Sequence, residues 1–122
     1  MNAYASRIET LAAAASDDRA DFEAPTDPPD PDRAMTYLRE GVGPAVAVYL
    51  EARTGDWHRF DSEPFAELEA AMNTYLELYA ACYGVDIDAE FTVREAAELL
   101  VETHNIHDVA QVLTHVPDRQ ER

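Results

Sequence analysis

The densest group of side chains able to do chemistry lies near the C-terminus. His104, His107, Asp108 and His115 fall within twelve residues. On one unbroken helix, positions 104, 107, 108, 111 and 115 would share a face. Imidazoles with a carboxylate suit zinc, or iron where further coordination positions stay open. The spacing HxxHD lacks the internal glutamate of a zincin, however. A helix boundary at Asn105 would also split the face, leaving His104 at a helix C-terminus and His107 in a first turn. Structural or surface roles are therefore expected for these residues, with a zinc site as the alternative.

Two other groups could recognise a partner. Trp57-His58-Arg59-Phe60 sets two aromatic rings beside cations in an acidic chain. Tryptophan and arginine are favoured at binding hot spots, so Trp57, Arg59 and Phe60 are candidate interaction residues. The competing reading has the two rings closing the core while Arg59 pairs with one of many acids. Tyr75, Tyr79 and Tyr83 recur every four residues. Such a stripe belongs to a core or, if exposed, to a homodimer face.

Catalysis finds little support. The single cysteine, Cys82, can form no intrachain disulfide. Its neighbours Tyr79-Ala80-Ala81 and Tyr83 supply no positive charge to lower the thiol pKa, so a reduced, buried and inert thiol is expected. Ser62, Cys82 and the histidines form no nucleophile motif. Gly41-Val42-Gly43-Pro44 is too short for a phosphate loop and has a proline where an amide is needed.

The charge bounds the setting more than the activity. The 122 residues include 25 acids against nine basic residues, for a net charge of −16. All nine basic residues are arginine. At low salt this charge repels itself and weakens the folded state. At molar salt the Debye length falls to about 3 Å and most of the repulsion is screened. The acids are spread along the chain, which argues against a nucleic-acid mimic. In composition the whole chain resembles small acidic proteins of halophilic archaea. That resemblance implies a cytoplasm rich in salt and names no activity. Hydrophobic residues at 47% supply material for one core. The most apolar stretch, Val42 to Leu50, is far short of the roughly 20 residues a spanning helix needs. No targeting segment is evident, so a cytoplasmic location is expected.

The elements that must position these groups read mainly as helices. Tyr4, Ile8, Leu11 and Ala15 make a helical stripe. Asp17 and Asp18 then place negative charge near a helix C-terminus, where it is unfavourable, so this N-terminal helix is expected to span 1–16. Pro25, Pro28, Pro29 and Pro31 make residues 17–32 an extended linker pinned by Phe22. Asp30 or Asp32 caps a second helix, expected to break or kink at Gly41, Gly43 and Pro44, unless Pro44 takes the first position of a new helix. Residues 46–60 read either as a helix ending at Gly55 or as a short β-hairpin turning at Gly55-Asp56.

The strongest helix runs from about Glu63 to Tyr83. Phe65, Leu68, Met72, Tyr75, Tyr79 and Cys82 line one face, and Glu67, Glu69 and Glu77 lie away from it. Thr92 and Glu95 form a capping box for the next helix, which buries Val93, Ala96, Ala97, Leu100 and Thr103. Asn105 caps the last, whose stripe is Ile106, Val109, Leu113 and Val116, stopped by Pro117.

Residues 91–100, FTVREAAELL, resemble the first helix of an excisionase or MerR-like helix-turn-helix. Those families continue with a glycine-containing turn and a basic recognition helix. Here no arginine or lysine follows Arg94 before Pro117. Direct DNA contact needs positive charge against phosphate, so direct nucleic-acid binding is not expected.

The sequence thus predicts an all-α, compact bundle of five or six helices, with a hairpin at about 46–60 as a variant. A core domain is expected over 33–117 and a frayed tail over 118–122. The leading functional expectation is a non-enzymatic protein-interaction or adaptor domain, acting as a homodimer or on another protein. A DNA-associated accessory protein and a small zinc-binding domain are the alternatives.

Overall fold

A computed structural model describes residues 3–27, 29–54 and 62–116, with the side chains of 3–5, 52–54 and 62–65 left aside. The described residues form α1 (Ala3–Asp21), α2 (Pro31–Tyr37), a π-helical turn (Leu38–Val42), α3 (Gly43–Thr54), α4 (Ser62–Cys82), α5 (Val93–Thr103) and α6 (Ile106–Thr114). No strand occurs among them. The hairpin variant is overturned as far as Thr54, because α3 is helical to that residue; residues 55–61 lie outside the described ones. The all-α expectation holds.

Helix α4 is the centre of the bundle and touches every other helix. Leu68, Met72, Tyr75, Leu76, Tyr79, Ala80 and Cys82 are all buried on it. Its C-terminal half is therefore buried on most sides, with Asn73, Thr74 and Glu77 left along one face. Ile8 and Ala15 of α1, Val46 and Val48 of α3, Val93 and Ala96 of α5, and Val109 of α6 close the core around it. Each fully buried Leu, Ile or Met stabilises the fold by roughly 1.5–3 kcal/mol relative to exposure.

Helix α1 continues five residues past its expected end at position 16. The repulsion expected there is offset at Asp18 by a partner far along the chain. The Tyr75 hydroxyl donates to Asp18 Oδ2 at 2.5 Å, and Arg19 pairs with Glu77. Arg19 also places positive charge in the last turn, where the helix dipole favours it. Past α1, Phe22 is half-buried beneath Arg33, whose guanidinium carbon stands 4.5 Å from the ring centroid. The Asp30 amide donates to the Cys82 carbonyl at 2.8 Å, tying the start of α2 to the end of α4. Asp30 also caps α2, accepting from the Arg33 amide, with Pro31 at the first helical position.

The break expected at Gly41–Pro44 is absent. The chain passes from α2 through the π turn into α3 with right-handed helical dihedrals at Leu38 and Gly43. Proline at 44 has no amide to offer Glu40, and in a regular helix its ring would strike that carbonyl. The π turn widens the helix there, and the Gly43 amide reaches back five residues to the Leu38 carbonyl. The glycine at 41 has a separate cause: a Cβ there would overlap the ring of Tyr75.

The local capping signals are present as read. Thr92 Oγ1 accepts from the Glu95 amide at 3.0 Å, and Glu95 Oε1 accepts from the Thr92 amide at 3.0 Å. Asn105 Oδ1 accepts from the amides of His107 and Asp108. No helix among the described residues is long and apolar enough to cross a membrane.

Candidate functional site

One polar row on α4 lines an open cleft. Glu69, Asn73 and Glu77 stand four residues apart, so they follow one another up the same helix face. Each engages the backbone between α4 and α5. Glu77 Oε2 accepts from the Ala89 amide at 3.0 Å. Asn73 Oδ1 accepts from the Phe91 amide at 3.0 Å, and Asn73 Nδ2 donates to the Phe91 carbonyl at 3.0 Å. Glu69 Oε2 accepts from the Val93 amide at 3.1 Å. The amides of alternate residues thus face α4, the period of an extended chain.

The spacing explains the fit. Four helical residues rise about 6 Å. Two residues of extended chain span about 6.6 Å. Side chains at every fourth helix position therefore meet amides at every second strand position. Ala89 is buried and Ile87 and Phe91 are half-buried, while Asp86, Asp88 and Glu90 are exposed.

An open cleft of about 460 Å³ lies along this ladder. Arg19 of α1 forms one side, Glu69, Asn73 and Glu77 the floor, and Glu90 and Phe91 the other side. The Arg19–Glu77 pair links the α1 wall to the floor. The backbone amides of Asp88 and Glu90 make no hydrogen bond within the described residues, in contrast to those of Ala89 and Phe91. In the sequence, Glu69 and Glu77 lie off the apolar stripe and Asn73 carries no evident role. The signal was available: asparagine disfavours helix interiors because its side chain competes for backbone groups. Between two glutamates at four-residue spacing it marks a place where a second segment is bound.

The histidine group does not gather. His104 and His115 are the C-caps of α5 and α6, both in the left-handed conformation and exposed. The turn at His104-Asn105 separates His104 from the α6 face. Asp108 is exposed in the first turn of α6. His107 is half-buried, its ring edge-on to Tyr79 with centroids 6.1 Å apart. No group of three His, Cys, Asp or Glu among the described residues is placed to hold a metal ion. The zinc alternative thus finds no converged ligand set among the described residues.

The tyrosine stripe is core. Tyr75 is 2% exposed and Tyr79 fully buried, so neither can form a homodimer face. Tyr79 donates its hydroxyl to the Val116 carbonyl at 2.6 Å, fastening the end of the α6 segment to α4. Tyr83 is half-buried and meets Tyr79 edge-on at 5.3 Å. Burial raises the hydroxyl pKa of both Tyr75 and Tyr79, and the bond to Asp18 adds to the shift at Tyr75. Cys82 is fully buried, and burial pushes its thiol up to about 11 against a weaker pull from Arg33. The thiolate, the nucleophilic form, is scarce at neutral pH. Trp57, Arg59 and Phe60 lie outside the described residues.

Helices α5 and α6 are joined by two residues, His104 and Asn105. The exposed positions of α6 are Asp108 and Val112, followed by His115. Arg94 on α5 pairs with Glu98 at 3.3 Å.

No curated protein and no solved structure matches the chain. Residues 2–118 match the family described as Domain of unknown function (DUF8055), and the chain belongs to that family.

Proposed function

We propose that the chain is a non-enzymatic protein-interaction domain whose partner docks along the outer edge of residues 85–92, on the side away from α4, in a high-salt cytoplasm. The observation that carries this reading is the backbone of that segment. Its amides at 89, 91 and 93 are fixed on α4, while those at 88 and 90 are unpaired within the described residues. An extended segment of another protein can add to such an edge through main-chain hydrogen bonds. Holding the edge rigid in advance lowers the entropy lost on binding. The acidic, lysine-free composition supports the salt-rich setting.

The test is capture of native partners in molar potassium chloride by wild type and by Glu90→Pro. Proline removes the outward amide and leaves Ala89 in the extended region that a residue before proline prefers. The reading expects one reproducible companion chain with wild type, lost with the variant while helix content stays unchanged. Equal capture by both proteins, or no companion with either, overturns it.

A further inference from the structure

We draw no further inference here: the strongest candidate, the row of exposed acids Asp86, Asp88 and Glu90 along the outer edge of the 85–92 segment, would specify a basic partner but is an acidic cluster in a chain of net charge −16, with no second observation pointing to a cationic group there.

Discussion

The ring of Tyr75 lies against the backbone of Gly41, where a Cβ would overlap its carbons. Tyr75 cannot easily retreat, because it is buried and its hydroxyl is bound to Asp18 on a third helix. Gly41→Ala therefore sets two effects against each other. Alanine gains up to about 1 kcal/mol of helix propensity, whereas overpacking a core typically costs about 1–3 kcal/mol. Overpacking wins where the neighbour is held. Denaturant unfolding in high salt is expected to show a net loss on the order of 1–2 kcal/mol; an unchanged or higher midpoint would contradict the packing.

Asn73 serves both polar groups of Phe91, so Asn73→Ala strands an amide and a carbonyl at once. A loss of about 1–3 kcal/mol is expected. The effect should be local as well as global: amide exchange at Phe91 and Ala89 is expected to speed up more than exchange in α4. Uniform acceleration across the protein would show that the segment has no separate attachment. Asn73→Asp keeps the acceptor and loses the donor, and should fall between the two.

The buried thiol and phenols make stability fall at alkaline pH. Cys82 has its folded pKa raised to about 11 from an ordinary value of 9.0. A group raised on folding stays protonated in the native state while the unfolded state ionises. Its contribution is whole below pH 9 and is lost as pH climbs toward 11. Two pH units correspond to on the order of 3 kcal/mol. Tyr75 and Tyr79, also raised, extend the decline above pH 10 with the same sign. Unfolding midpoints from pH 8 to 11 should show the loss, and Cys82→Ala should remove its first part. Equal slopes for the two proteins would refute the assignment to Cys82.

Alkylation of Cys82 at pH 8 gives a second readout. Reagent should react over the timescale of unfolding in the native protein and within minutes in denaturant, because burial suppresses both access and ionisation. Fast reaction under native conditions would mean that the α2–α4 junction opens readily.

The salt-rich setting is tested by dilution. Helix content and a single cooperative transition are expected in molar potassium chloride, with folding lost as salt falls toward about 0.1 M, where the Debye length grows to about 10 Å. A protein that stays fully folded at that salt would contradict the expected role of screening.

What the sequence made legible was set by how local the cause was. The caps at Thr92, Asn105 and Asp30 act within three residues and were readable from residue type and spacing. The α4 stripe was readable as buried, but periodicity says only that a face is covered and not by which chain; Tyr75 and Tyr79 turned out to face their own core. The end of α1 was misplaced because Asp18 and Arg19 find partners 57 and 58 residues away. The π turn was missed because Pro44 was weighed against a regular helix, and a single widened turn removes that conflict. In the cleft, Thr92 is legible as a cap, and nothing in the sequence marks Phe91 as a bound segment. Glu69, Asn73 and Glu77 were hidden by the chain's acidity, which makes any one carboxylate uninformative.

The match between helix rise and strand rise also sets a parity rule on how this segment can change length. Adding one residue between Ala89 and Phe91 would leave the two amides held by Glu77 and Asn73 an odd number of residues apart, so that they point to opposite sides of an extended chain. Adding two would return both amides to one side, displaced by one rung. Variation in length here is therefore tolerable in even steps and disruptive in odd ones, although nothing in the 83–92 run itself carries regular secondary structure.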